Sequence, residues 1–364
     1  MKRTRPAKRA IFALLITVFL FLFVNAIVSM RGWDKAPEEE FFTDVFSVIT
    51  EVIPNARIPF ANAGAGPERV NNLGFRGPDT TWDKPPGVKR FLVLGDSSAF
   101  GVTGGPDLVP LEQTFTGRVG IRLQEQGDWE WINAGIPGTN ILQHRLLYNL
   151  KLYRLHPDVV LVYVVPNVRA DMDALRAVYE HHEGKDRTAT AAIARWLRRW
   201  PVYRALKLRI RGSVSTEVRN QVEAIYDQQR TDEDQQYLLD GFADDLNSLR
   251  AKIVEGGARP IWVYHINRMS VLELAASGMS ADQIARNPLM QSEGAKFFDY
   301  VRDFARRHGD VFVNPYPDVV EAQRAGVKMV HDDVHPTAEG HGQIAKAIIE
   351  AWEKTWETTR TGDP

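Results

Sequence analysis

The chain has 364 residues, with 45 Lys and Arg against 46 Asp and Glu, so no broad basic surface is available to hold a nucleic acid. It contains no cysteine, which excludes disulfides, thiolate nucleophiles and cysteine-ligated zinc, and suits an oxidising compartment where stray thiols are a liability.

The first nine residues carry Lys2, Arg3, Arg5, Lys8 and Arg9, and residues 10–30 then run from Ala10 to Met30 with only Thr17, Asn25 and Ser29 breaking the apolar character. As a helix at 1.5 Å per residue this stretch spans about 31 Å, the hydrocarbon thickness of a bilayer. Arg31, Lys35 and the acids Asp34, Glu38, Glu39 and Glu40 follow it. The basic excess before the span predicts residues 1–9 in the cytoplasm, residues 10–30 as a signal anchor in the inner (cytoplasmic) membrane, and a periplasmic or extracellular body. A cleaved signal peptide is the alternative, with a core from Ile11 to Phe23 followed by Val24-Asn25-Ala26. Either way the body is exported.

Residues 31–87 read as a linker and pre-domain segment. Within it, Ala63-Gly64-Ala65-Gly66-Pro67 is glycine-rich, but no strand leads into it, so it is not a phosphate loop. From residue 88 the hydrophobic period changes. Apolar strands are predicted near 90–94, 130–133, 158–165, 259–265 and 310–313, and helices near 111–127, 141–154, 232–256, 292–308 and 338–356. Continuous apolar strands alternating with helices imply a parallel sheet covered on both faces. No second core is visible, so one α/β domain spans residues 88–356, with a polar tail over 357–364 expected to be disordered.

Arg90-Phe91-Leu92-Val93-Leu94 stops at Gly95-Asp96-Ser97-Ser98, and Asp332-Asp333-Val334-His335-Pro336 appears just before the last predicted helix. A serine hydroxyl is a poor nucleophile at neutral pH, so it needs an imidazole to take its proton and a carboxylate to fix the imidazole's tautomer. Ser97, His335 and Asp332 are the residue types for those roles. An acyl transfer also builds negative charge on the former carbonyl oxygen and needs fixed donors there, such as a close backbone N–H or an asparagine amide. Taken singly, Gly95-Asp96-Ser97 also reads as a strand-ending turn. Asp332 to His335 also reads as a loop running into a helix with Thr337 as its N-cap.

In ordered combination these residues resemble the SGNH (GDSL-type) hydrolase family, which begins with a strand and Gly-Asp-Ser and ends with Asp-x-x-His. Its second block is matched by Trp131-Ile132-Asn133-Ala134-Gly135-Ile136-Pro137-Gly138, centred on Gly135, and its third by Val159 to Val164 followed by Val165-Pro166-Asn167. The resemblance implies a three-layer α/β/α, flavodoxin-like fold. It implies a Ser97–His335–Asp332 triad and an oxyanion hole of the Ser97 N–H, the Gly135 N–H and the Asn167 amide, with no cofactor and no metal. It further implies an ester hydrolase or acyl transferase acting on acylated carbohydrate or lipid. One departure stands out, because the third block usually reads Gly-x-Asn-Asp and here reads Val165-Pro166-Asn167-Val168. That leaves two readings open: a catalyst with a reshaped pocket wall, or a scaffold or glycan-binding subunit that keeps the fold without turnover.

The interval between Asn167 and Asp332 is long for the family and implies an insertion around 170–230. Its segment from Ile193 to Arg211 interleaves aromatics with seven basic residues. That pattern fits a solvated bracing or lid helix, and also a basic amphipathic helix resting on a membrane surface. Tyr179-Glu180-His181-His182-Glu183 lacks the i, i+4 spacing of a zinc helix. His341 is expected as packing on the last helix, and His144 and His156 as surface or helix-end residues. Asn71-Asn72-Leu73-Gly74-Phe75-Arg76-Gly77 resembles a pre-block of exported bacterial family members, with Arg76 either pairing with a carboxylate at the domain edge or approaching the site.

Overall fold

The computed structural model describes residues 5–31, 42–43, 51–52, 54–55, 58, 70–103, 107–164, 200, 202–203, 232–286 and 294–361. The chain groups into two units, Met1–Glu40 with Ala170–Gln229, and Phe41–Arg169 with Arg230–Pro364.

In the first unit, α1 runs from Arg5 to Met30. Its side chains are described from Leu15 onward, a stretch shorter than the ~20 residues a bilayer span requires. Among the described residues no helix is long and apolar enough to cross a membrane. From the predicted basic segment 193–211, only Trp200, Val202 and Tyr203 are described, and Tyr179 to Glu183 and Ala63 to Pro67 lie outside the described residues.

The second unit is built on five parallel strands: β1 (Lys89–Gly95), β2 (Trp129–Gly135), β3 (Val159–Val164), β4 (Arg259–Tyr264) and β5 (Val311–Val313). Their order is β2-β1-β3-β4-β5. Phe91, Leu92 and Leu94 in β1 and Val160 to Val164 in β3 are completely buried, because helices cover both faces of the sheet. Each such side chain contributes about 1.5–3 kcal/mol relative to an exposed one. Beyond the sheet, Phe42–Thr43 and Glu51–Val52 form a small antiparallel pair.

The helices of this unit are α2 (Ser97–Phe100), α3 (Phe115–Glu125), α4 (Ile141–Leu150), α5 (Asp232–Glu255), α6 (Arg268–Ala276), α7 (Ala281–Arg286), α8 (Gly294–His308), α9 (Tyr316–Arg324) and α10 (Ala338–Thr361). α5 buries Leu238, Phe242, Leu246, Leu249 and Ile253, and α10 buries His341, Ile344, Ile348 and Trp352, both at helical period. α3 packs against α10, and α4 against α5. α3 approaches the sheet closely through Gly120, where a Cβ would lie 2.3 Å from the Trp131 ring. α4 starts at a capping box in which the Asn140 side chain accepts the Gln143 N–H and the Gln143 side chain accepts the Asn140 N–H.

Residues 111–113 form a separate 3-10 turn ahead of α3, so the helix predicted from 111 begins at Phe115, capped by Thr114. The tail expected to be disordered from 357 is helical to Thr361, since no breaker intervenes before Gly362. α6, α7 and α9 had no counterpart among the predicted helices.

The pre-block folds as a turn with Arg76 inside the protein. The Asn71 Oδ1 accepts the Leu73 and Phe75 N–H groups at 3.0 and 2.9 Å. Arg76, wholly buried, donates to the Phe100 carbonyl at 2.6 Å and the Val109 carbonyl at 2.7 Å. Both of these acceptors are backbone carbonyls, so Arg76 braces the carboxyl end of α2. Gly101 has to be glycine there: its φ is +93°, and a Cβ would lie 2.4 Å from the guanidinium.

Arg90 organises the opposite end of β1. Its guanidinium is buried and donates to Glu130 at 2.7 Å, to the Leu155 carbonyl at 2.6 Å and to the Thr81 carbonyl at 2.8 Å, tying the pre-domain segment to the sheet. Removing one partner of a buried pair leaves the others unsatisfied. Arg90→Met is therefore expected to lower unfolding free energy by about 3 kcal/mol, read as a reduced urea midpoint at unchanged slope. An unmoved midpoint would show that the latch contributes nothing.

Candidate active site

β1 lies between β2 and β3, so the chain leaves β1 at the point where strand order reverses, the place where open α/β sheets form a crevice beyond the strand ends. Gly95 ends the strand because space there is minimal: a Cβ would sit 2.4 Å from the Ala99 Cβ and 3.2 Å from the Tyr163 Cβ. Asp96 then caps α2, its Oδ1 accepting the Ser98 N–H at 2.9 Å. Ser97 is the first residue of that short helix and is half-buried, whereas Ser98 is buried with its hydroxyl 3.3 Å from the Val334 carbonyl.

The second part of the site is a closed loop. Thr337 N–H donates to the Met329 carbonyl at 3.0 Å and His331 N–H to the His335 carbonyl at 2.7 Å, while the Thr337 hydroxyl accepts the Gly340 N–H and caps α10. Inside the loop, Asp332 Oδ1 accepts the N–H groups of Val334 and His335, each at 2.9 Å. Its Oδ2 lies 2.8 Å from His335 Nδ1, and His335 Nε2 lies 2.9 Å from Ser97 Oγ. A carboxylate only accepts, so the ring proton sits on Nδ1 and Nε2 is left to accept the serine proton. Burial alone would raise the Asp332 pKa, but the Val334 N–H, the His335 ring and the His335 N–H together hold it below the usual carboxylate value.

The groups expected as oxyanion donors lie in different surroundings. Gly135 is confined, with a Cβ position 2.8 Å from the Phe100 nitrogen, and its N–H is directed to the Asn133 Oδ1 at 3.0 Å. It is therefore committed inside the protein, and the expectation for the Gly135 N–H is corrected. The reason is Asn133, a buried amide in β2 that also donates to the Ala99 carbonyl at 2.8 Å and the Thr116 hydroxyl at 3.1 Å. Three residues on, Gly138 is exposed at φ +79° with open space around it. Among the described residues, neither the Ser97 nor the Gly138 N–H has a hydrogen-bond partner. Thr139 steadies this loop, its hydroxyl donating to the Ile136 carbonyl at 2.7 Å and lying 3.0 Å from His144 Nε2. His144, expected at the surface or a helix end, lies in the first turn of α4 and is buried, and burial pushes its pKa down to about 4. His156 is exposed and takes a left-handed conformation after a 3-10 turn. Asn167, with Val165 and Val168, lies outside the described residues.

Further residues join the site without any forewarning from motif. His265 follows β4, is buried, and packs edge-on to Tyr163 with ring centroids 5.9 Å apart. Three residues on, the Arg268 N–H donates to the Asp333 carbonyl at 2.9 Å, joining this strand end to the Asp332–His335 loop. Tyr163 stacks on Phe115, which stacks on His341. Burial, then the charge of His335, drives the His265 pKa down to about 3; burial, then Arg76 and Arg118, does the same for His341. The signal for His265 was a lone histidine ending an apolar strand; for Asn133, a lone amide within one.

The GDSL-like lipase/acylhydrolase family matches the chain over residues 93–343. The chain belongs to that family, whose class is the carboxylic ester hydrolases. Similar solved structures include the acetyl xylan esterase AlAXEase, at 14% identity over 72% of this chain and 98% of that one, with a TM-score of 0.42. An acetyl-xylooligosaccharide esterase from Geobacillus has 15% identity over 72% and 93%, with a TM-score of 0.41. A two-domain esterase active on acetylated mannans has 16% identity over 73% and 49%, with a TM-score of 0.39. No curated protein matches the chain.

Asp96 gives the site a measurable pH signature. Burial raises its carboxyl pKa to about 6, against the opposing pull of the Ser98 N–H and the charge of His335. The folded value lies above the ~3.9 of an unfolded aspartate, so the folded protein binds this proton more tightly. Stability is accordingly lost as pH rises from about 4 through about 6. Asn accepts the same Ser98 hydrogen bond without ionising. The Tm of Asp96→Asn relative to the parent is expected to climb between pH 4 and 7, by the equivalent of about 3 kcal/mol. A difference in Tm that stays flat with pH would contradict this account of Asp96.

Proposed function

We propose that the chain is a membrane-anchored serine esterase working outside the cytoplasm, which removes or transfers acetyl or other acyl groups on envelope or exported polysaccharide. The observation that carries the reading is the continuous Ser97–His335–Asp332 contact, 2.9 and 2.8 Å. A scaffold without turnover has no need of an imidazole turned toward a strand-end serine.

In this mechanism Ser97 Oγ attacks the acyl carbonyl carbon as its proton passes to His335 Nε2. Asp332 holds the imidazolium through Nδ1–H. The new oxyanion is held by the Ser97 and Gly138 N–H groups and, by family resemblance, the Asn167 amide, each donor contributing about 3–4 kcal/mol to the barrier reduction. His335 returns its proton to the departing alkoxide, leaving an acyl-serine. Water or a carbohydrate hydroxyl then loses its proton to His335 and takes the acyl group, which restores Ser97.

The anchor reading rests on α1. Every residue from Leu15 to Val24 is exposed and all but Thr17 are apolar, a surface that water disfavours and lipid accepts. The basic stub ahead of it supports an outward-facing body. An anchored enzyme outside the cytoplasm meets acylated envelope and exported polymers, which is the argument for that substrate class.

Turnover of p-nitrophenyl acetate and acetylated xylan, with fluorophosphonate labelling and mass mapping, tests the chemistry. Ser97→Ala is expected to abolish labelling and lower turnover by about 10^6-fold. Asp332→Asn is expected to cost about 10^4-fold, because the wrong tautomer is favoured, and Asn167→Ala about 10^2–10^3-fold. Equal rates for parent and Ser97→Ala would remove Ser97 from the reaction.

A further inference from the structure

The loop that follows β2 hangs from the end of β1. Ile136-Pro137-Gly138-Thr139 forms a turn in which the Thr139 N–H donates to the Ile136 carbonyl at 3.3 Å. Proline in its second position and glycine at φ +79° in its third are the residues of a type II turn, which fixes the plane of the Pro137–Gly138 peptide. The turn is suspended from one acceptor, the Gly95 carbonyl. The Ile136 N–H donates to that carbonyl at 2.9 Å, and the Thr139 hydroxyl lies 3.3 Å from it.

His144 closes this joint. It stands one turn into α4, its N–H donating to the carbonyl of the capping Asn140 at 2.9 Å, and it is only 2% exposed. Its Nε2 lies 3.0 Å from Thr139 Oγ1, and its ring also hydrogen-bonds the Gly95 carbonyl. Proton counting gives the direction of these bonds. The Thr139 hydroxyl has a single proton, and the Ile136 carbonyl at 2.7 Å is its nearest acceptor, so toward His144 the hydroxyl oxygen accepts. On the other side of the ring, Nδ1 is enclosed without a hydrogen-bond partner among the described residues, which leaves the proton of the neutral imidazole on Nε2. His144 therefore donates into the narrow space between Thr139 and Gly95, where one segment belongs to β1 and the other to the turn.

We propose that His144 is a positioning residue for acyl transfer, its Nε2–H pinning the Gly138 turn to the end of β1 so that the Ser97 and Gly138 N–H groups converge on one oxyanion. This rests on the reading of Ser97 as the nucleophile. Gly95 lies two residues before Ser97 and Thr139 one residue after Gly138, so the joint sets the spacing of the two donors. His144 touches neither substrate nor reacting atoms and acts through Thr139 and Gly95. An oxyanion donor works only when it is aimed, and a displacement of about 1 Å costs up to roughly 10^2-fold in rate.

The test uses full-length protein, with a cooperative thermal melt confirming that each variant is folded. Turnover is measured on p-nitrophenyl acetate and on its thiono analogue, in which sulfur, a weak hydrogen-bond acceptor, replaces the carbonyl oxygen. The parent is expected to prefer the oxygen ester. His144→Leu is expected to lower kcat on that ester by about 10–100-fold with little change in KM. Its oxygen-over-sulfur preference is expected to fall severalfold, because the thiono ester depends less on the two N–H donors. His144→Gln, whose amide N–H reaches the place of Nε2–H, is expected to restore most of both. Thr139→Val is expected to repeat the loss and Thr139→Ser to recover it, which keeps the test in force should His144→Leu not fold. Unchanged oxygen-over-sulfur preference in folded His144→Leu or Thr139→Val, or equal losses in His144→Leu and His144→Gln, would overturn the positioning role while leaving the esterase intact. A parent that neither turns over ester nor takes a fluorophosphonate label would overturn both.

Discussion

The Asp332 carboxylate is the interaction on which the site depends, because both of its oxygens are committed within four residues. One oxygen takes the peptide N–H groups of Val334 and His335, which curls the loop, and the other takes the His335 ring. The same curl that defines the backbone therefore defines the imidazole's orientation and tautomer. Charge-assisted bonds of this kind are roughly twice as strong as neutral ones. Nothing from a distant element is required to aim the histidine; what the rest of the fold supplies is the serine. That supply comes from β1, whose buried run ends at a glycine too crowded for any side chain, and from the Ser98 hydroxyl, which lies 3.3 Å from the Val334 carbonyl.

Around this relay three buried imidazoles are pushed toward the neutral form by burial. His144, His265 and His341 are all buried with depressed pKa values, and each has a placement that serves packing or loop geometry. His341 accepts the Phe115 N–H at 3.2 Å and stacks on that ring, while His144 steadies the loop holding Gly138. Neutral neighbours suit a site whose working histidine has to become cationic, since each additional positive charge nearby would oppose that step. Asp96 works the other way: once ionised it favours the imidazolium electrostatically, at the cost of a charge held in a dry interior.

The parts of the fold and site that could be read from sequence are those whose cause is local. β1, β3 and β4 are unbroken apolar runs, and α5, α8 and α10 carry helical periodicity, so their existence follows from a few neighbouring residues. Ser97, Asp332 and His335 sit in short motifs at strand and helix ends. α9 escaped notice because Asn314-Pro315-Tyr316-Pro317-Asp318 has the composition of a turn, whereas proline is equally at home in the first turn of a helix. α6 spreads its apolar residues around its axis, leaving Met269 62% and Leu272 42% exposed, so no single stripe marks it. Gly135 and Gly138 have the same residue type three positions apart, yet Gly138 is exposed at φ +79° while Gly135 is buried with its N–H turned inward. That direction is decided by Asn133, whose own role depends on Ala99 and Thr116 folding alongside it.

The two ends of β1 show how one strand carries stability and chemistry apart. At its start, Arg90 spends a buried cation on Glu130 and on carbonyls of the pre-domain segment, far from Ser97 along the strand. At its end, polar groups are left available: a serine hydroxyl on an imidazole and N–H groups without an acceptor among the described residues. Satisfying those N–H groups internally, as Asn133 does for Gly135, would stabilise the empty fold and leave nothing for a developing oxyanion. On the reading of Ser97 as nucleophile, a committed Gly135 at the end of β2 holds the crevice in shape, and the exposed Gly138 in the loop that follows is the residue able to face the substrate.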